Sequence, residues 1–500
     1  MKKLFSLSWK CGLATVGLLA IPGLAMAGGA FSTTKAGQQV LWSGPATYRI
    51  ETGALKGANT GGGGGGGGGG SSGGCQMTKA LDISNADGAQ IVRDAFNTWK
   101  GVPNSSIDIQ EGPSLGVDVN FDNLENFWVG SFFPDLPPAQ QVQSTVTAAG
   151  CYDSDPNTPC LNSVIFDNDP VPDRSVTDAI QGRCARFNIL AFAAILPQQN
   201  NDGSIANAAL KSAQLVVSAA CVDPVDAADP SCVGNPSGFD SQCPPGGISL
   251  TELKGTVTHE VGHFLGMDHT LINKQNYIDC ETGKPTCNLE NVPTMTGLFV
   301  PGADLTTLHY DDMVTFAKHY PAAGTTTQSP TDGFGVIANV PIIPGTCTIA
   351  GRAFRSDKTT QQRCLEVVAK LNNDPATSAG MISGAEVGRN SVLTSLSSGA
   401  DANGANGDCS DAANCSNFVI PGLNPGTYTL AVHNFNDNGA GSGLDQFNIE
   451  PCHPALSGGG GILDNESPAV FRLNGVLLGA NQATVSCTAG AITMVDVRSN

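Results

Sequence analysis

Apolar residues recur along this chain with two periods, and the switch between them marks out its elements. From Asp87 to Lys100 the positions Ile91, Val92, Ala95, Phe96 and Trp99 fall three and four apart, one stripe of an amphipathic helix. Upstream, Trp42, Tyr48 and Ile50 stand at even intervals within Gln38 to Glu51, the alternation of a strand with one buried face. Ile107 to Ile109, Ser163 to Phe166 and Asn188 to Ile195 read as further strands. Ser249 to Leu265 and the stretch from Leu308 to about His319 read as helices. In the last third, Tyr428, Leu430 and Val432 alternate after the Pro-Gly pairs at 421–422 and 425–426, a strand set off by turns.

Three stretches break this patterning. Met1 to Ala27 has lysines at 2, 3 and 10, a short apolar core from Cys11 to Leu24 and an Ala25-Met26-Ala27 cleavage site, the build of a secretion signal. The Gly/Ser run at 61–74 buries no apolar area and reads as a flexible loop. It lacks the Gly-Lys-Ser/Thr ending of a phosphate-binding loop. After Tyr320-Pro321 the composition turns to Gly, Thr, Ser and Pro, so residues 323–339 read as a linker between a domain at 28–322 and a second at 340–500.

Composition narrows the partners. A net charge of −19 argues against nucleic acid. No internal apolar run is long enough to span a bilayer. Of sixteen cysteines, one lies in the signal, and export to an oxidising compartment favours disulfides among the rest. Close spacing suggests Cys151–Cys160, Cys280–Cys287 and Cys409–Cys415. Asp167, Asp169 and Asp173 follow a strand, and both an ordinary acidic loop and a calcium site fit them.

The chemistry concentrates in His259-Glu260-Val261-Gly262-His263-Phe264-Leu265-Gly266-Met267-Asp268-His269. Residues four apart share one helix face, so His259 and His263 can offer two imidazoles to one metal ion. Glu260 stands beside the first of them, within reach of a water on that metal. Gly266 accepts positive φ, so it can end the helix and turn His269 back as a third ligand. Three imidazoles with an open fourth position are the donor set of a catalytic zinc ion.

This motif resembles that of the metzincin metalloproteases. Pro293-Thr294-Met295-Thr296-Gly297 is similar to the family's Met-turn, which implies a structural Met295 beneath the metal. Leu308-His309-Tyr310-Asp311-Asp312-Met313 resembles the start of the last catalytic-domain helix of matrixins, and Ala95-Phe96…Trp99 resembles the end of their first. The loop carrying Cys280 and Cys287 is longer than in matrixins and more like that of adamalysins. The resemblance spans roughly residues 36–322. It implies an α+β metzincin-like catalytic domain, a twisted mixed sheet with a long zinc helix below it. It also implies catalytic Zn2+ on His259, His263 and His269, Glu260 as general base, and structural Ca2+. The stretch 418–432 looks like the prealbumin-like β-sandwich appended to many secreted peptidases. Together these lead to the expectation of a secreted zinc endopeptidase acting on proteins or peptides. A surface-binding or adhesive protein with a secondary or inactive protease-like domain is the alternative. Because every expected ligand precedes Thr325, the second domain is expected to be dispensable for the chemistry.

Overall fold

The structure, a computed structural model, describes residues 39–56, 83–128, 161–168, 175–181, 189–199, 205–220, 222–223, 248–270, 339–354, 365–382, 416–436 and 482–499, and, with breaks of one to three residues, 272–337 and 461–480. The signal at 1–27, the Gly/Ser run at 61–74, Asp169, Asp173, Cys151–Cys160 and Cys409–Cys415 lie outside the described residues.

The N-terminal region is built on a mixed sheet of five strands, β1 (Ala46–Ile50), β2 (Ile109–Glu111), β3 (Ser163–Asp167), β4 (Ala191–Gln199) and β5 (Ile205–Ser218), in the order β2-β1-β3-β5-β4. β1, β2, β3 and β5 are parallel; β4 runs antiparallel to β5 and forms an edge. The central strand β3 is buried at every position, as a parallel strand covered on both faces must be. Three helices of this region flank the sheet: α1 (Asn85–Lys100), α2 (Val176–Gln181) and α3 (Leu250–Phe264). The α1 stripe expected from the sequence is buried throughout and packs with α3 on Tyr48, Ile50, Val164, Phe166, Leu215 and Val217. The opposite face, Ile165, Phe192 and Val216, is covered by Val119, Trp128 and the α2 residues Val176 and Ile180.

Local signals set the helix ends. Ser84 caps α1 through the Asp87 N–H. Ser249 and Glu252 form a reciprocal capping box at the start of α3. Strand ends differ more from expectation. β2 forms at 109–111 rather than 107–109, and β4 begins at Ala191, after Ile189 and Leu190 are already buried. Alternation gives the face of a strand but not the residue where its ladder begins. Asp167 caps α2: its carboxylate accepts the N–H groups of Val176 and Thr177, both at 3.0 Å, and the Ser175 hydroxyl.

Helix α4 (Tyr310–His319) follows, with His309 as its N-cap. Among the described residues, the C-terminal region is built of strands, with one short 3-10 turn at Pro375–Thr377. One sheet orders β9 (Asn417–Leu423), β6 (Cys347–Phe354), β16 (Asp496–Ser499), β12 (Ala469–Leu473) and β13 (Val476–Ala480), with β15 (Ile492–Met494) also pairing β6. The other orders β8 (Ser378–Ile382), β7 (Leu365–Leu371), β10 (Gly426–Asn436) and β11 (Gly461–Glu466), with β14 (Ala483–Cys487) also on β10. The sheets share one core, in which Ile349, Phe418 and Ile420 meet Val367, Tyr428, Leu430 and Val432. A Cys347–Cys487 disulfide joins them, and Cys280–Cys287 closes the expected loop in the N-terminal region.

The stretch 323–339 is more ordered than its linker composition suggests. Thr326–Gln328 pairs with Val340–Ile342, and Thr331–Asp332 with Gly335–Val336. Arg352, 1% exposed, bonds Asp332 and donates to the Val336 carbonyl at 2.9 Å. Helix α4 belongs to both regions: Phe316 lies in the N-terminal core, Tyr310 and Val314 in the C-terminal one. No helix among the described residues is long and apolar enough to cross a membrane.

Candidate metal centre

Helix α3 carries His259 and His263 one turn apart and ends just after them. Its last carbonyls are met by side chains: Trp42 Nε1 donates to Phe264 O at 2.9 Å, and the Tyr320 hydroxyl to Leu265 O at 2.6 Å. Gly266 has φ +88°, where a side chain would be strained. The chain then folds back, with Gly266 N–H on His263 O at 2.8 Å and Met267 N–H on Gly262 O at 2.9 Å. This reversal brings His269 to the helix face. His269 Nε2 lies 3.1 Å from His259 Nε2 and 3.0 Å from His263 Nε2. The three histidines expected from the sequence therefore come together, and among the described residues they form a cluster that could hold a metal ion.

The surrounding carbonyls fix which nitrogens face inward. His259 Nδ1 lies 2.6 Å from Thr294 O, and His263 Nδ1 lies 2.7 Å from Met267 O. A carbonyl only accepts, so each Nδ1 carries the proton and each Nε2 presents a lone pair. Burial disfavours a second proton. It pushes His259 down to about 4 and, with help from His259, His263 down to about 3; His269 is lowered by the same causes. His259 and His263 thus turn lone pairs toward His269 Nε2, and with His269 in its Nδ1–H tautomer the three Nε2 atoms offer a metal ion three neutral nitrogen donors in a buried pocket. A metal ion therefore fits this donor set.

Met295 is 1% exposed and lies beneath the helix: an ideal Cβ on Gly262 would come 2.3 Å from its sulfur. Its turn is tied to the histidines by the backbone. Thr294 O receives His259, and Met295 O receives the Thr270 N–H at 2.7 Å, just after His269. Asp312 holds the turn from below. Its carboxylate accepts the N–H groups of Thr294 at 2.8 Å, Met295 at 3.1 Å and His309 at 2.9 Å. The sequence marked Asp311 and Asp312 only as a helix start, so their roles as acceptors emerge here.

Glu260 projects toward the free edge of β4, where its Oε2 accepts the Ala193 N–H at 2.8 Å. Burial pushes its carboxyl up to about 8, with the Ala193 bond acting against that rise. No family model matches this chain, and neither a curated protein nor a solved structure does. The chemical content of the site thus rests on its own geometry: three converging imidazoles, a carboxylate beside the first, and a sheet edge bordering that carboxylate.

Proposed function

We propose that the chain is a secreted zinc-dependent endopeptidase. The observation that carries this reading is the convergence of the His259 and His263 Nε2 atoms on His269 Nε2, at 3.1 and 3.0 Å, with Glu260 next to His259 on the same helix. A four-coordinate zinc with Zn–N bonds of about 2.0–2.1 Å holds its nitrogens about 3.3 Å apart, close to that spacing. His259, His263 and His269 would hold the ion; when bound, it supplies a Lewis acid for a water molecule and for a substrate carbonyl. Glu260 takes the proton of the attacking water and passes it to the leaving amine. The Ala193 N–H orients the carboxylate for that transfer by holding one of its oxygens. Ala193 sits on an edge strand, and such an edge can accept an extended peptide as a further strand, which favours a protein or peptide substrate.

Two disulfides and the signal-like N-terminus support an exported protein. The mixed sheet with its long ligand-bearing helix, followed by paired β-sheets, supports a metzincin-like catalytic domain with an appended sandwich. The test is cleavage of casein by the full chain. It should be lost when a chelator strips the metal and regained with zinc. Cleavage that survives in metal-free protein would refute the reading.

A further inference from the structure

The third ligand is held differently from the first two. His259 and His263 ride on α3, and each has its own carbonyl partner. His269 comes from the segment beyond Gly266, where no helix fixes it. That segment is lodged between the Met295 turn and the C-terminal region. Thr270 N–H bonds Met295 O on one side. On the other, the Thr270 hydroxyl donates to Asp311 Oδ2 at 2.6 Å. The second oxygen of Asp311 accepts the Gly380 N–H at 2.8 Å, and Gly380 belongs to β8 of the C-terminal region.

This bond uses an edge. β8 is the outer strand of its sheet, and the Gly380 N–H points away from its ladder with β7. The neighbouring contacts dock the same surfaces. Tyr310 OH accepts the Asn424 N–H at 2.7 Å and lies 3.0 Å from Tyr428 OH. Asn273 Nδ2 reaches Pro375 O and Ser378 Oγ, both at 3.3 Å. Asp311 itself is 1% exposed, so its carboxylate depends on these two protein donors rather than on water.

We propose that the C-terminal region is a working part of the metal centre: through Gly380 and Asp311 it fixes Thr270, and thereby His269, which makes Asp311 a positioning residue for the third ligand. This reverses the expectation, drawn from the order of ligands along the chain, that the second domain is dispensable. It rests on the reading of the histidine triad as a metal centre and does not require that the centre cleave peptides.

The experiment measures zinc affinity of the full chain by competition with a chromophoric chelator, together with the visible spectrum of the cobalt-substituted protein. The variants are Asp311→Ala, Asp311→Asn and Thr270→Val. Loss of a partner outside the ligand shell typically weakens metal binding 10–100-fold, so Asp311→Ala and Thr270→Val should each weaken zinc about tenfold and shift the cobalt bands. Asp311→Asn should stay within about threefold of wild type, because its amide offers oxygen to Gly380 N–H and N–H to Thr270 Oγ1. Thr270→Val leaves the Asp311–Gly380 bond and the docking intact, so a loss there reports positioning rather than docking. It also decides the matter if Asp311→Ala does not fold. Unchanged zinc affinity and an unchanged cobalt spectrum in Thr270→Val would overturn the proposal while leaving the peptidase reading untouched. A wild-type chain that binds zinc at the triad but cleaves no protein would sink the peptidase reading and leave this one standing.

Discussion

Gly262→Ala should destabilise the protein, although alanine is the better helix former. In an exposed helix the change would be favourable by about 1 kcal/mol. Here an ideal Cβ would sit 2.3 Å from Met295 Sδ, 2.7 Å from Trp99 Cζ2 and 3.0 Å from Met295 Cε. Non-bonded carbon contacts settle at about 3.5–4.0 Å, so the shortfall is about 1 Å against two residues at once. Neither can yield easily. Trp99 is fixed by its Nε1 bond to Thr258 O at 2.8 Å and by packing on Phe316, and Met295 is buried. Overpacking of this kind costs about 1–3 kcal/mol, and with two close contacts the upper end applies. Net of the helix term, the loss is about 1–2 kcal/mol, or about 2–8 °C in melting temperature for a domain of this size. The relief route is for α3 to move off the Met295 turn, which stretches the His259 Nδ1 bond to Thr294 O. Zinc affinity should therefore fall about 10–100-fold with stability. Calorimetry and chelator competition on the same preparations check both. A raised melting temperature with unchanged zinc affinity would refute the packing argument.

Two further predictions follow from buried carboxylates. Glu51, 2% exposed, accepts the Phe166 N–H at 2.5 Å and the Val119 N–H, yet burial pushes its carboxyl up to about 9 from 4.5. The folded state then binds a proton that the unfolded state releases, so Glu51's contribution to stability is full below about pH 4.5 and is lost as pH rises toward 9. Urea unfolding of wild type and Glu51→Gln between about pH 5 and 8 should differ in slope by about 1.4 kcal/mol per pH unit, and parallel curves would contradict this. Asp312→Ala orphans three buried N–H donors at about 1–3 kcal/mol each, so it should lower stability by at least ~3 kcal/mol, read from the shift in urea midpoint.

What the sequence disclosed was local. His259, His263 and His269 lie within eleven residues, and helix periodicity plus one glycine turn fixes their relative places. The α1 stripe was legible for the same reason. The Glu260–Ala193 bond was not, because every residue but proline has an N–H and only the register of β4 decides which one faces the carboxylate. The Cys347–Cys487 bridge spans 140 residues and left no spacing signal. Residues 323–339 have the composition of a free linker, and the partner that orders them is a buried arginine on a strand beginning at Cys347. Asp311 and Asp312 were visible as residues but not as acceptors, since their donors come from the Met295 turn, Thr270 and Gly380.

The central claim is that Glu260 moves the proton while the three histidines hold zinc. Its most direct test is casein turnover by Glu260→Gln with zinc content measured on the same sample. Glutamine keeps the shape and an oxygen for the Ala193 N–H but cannot take a proton. The account predicts one zinc per chain, an unchanged fold and turnover reduced at least ~100-fold. Near-normal turnover by the zinc-loaded variant would contradict it.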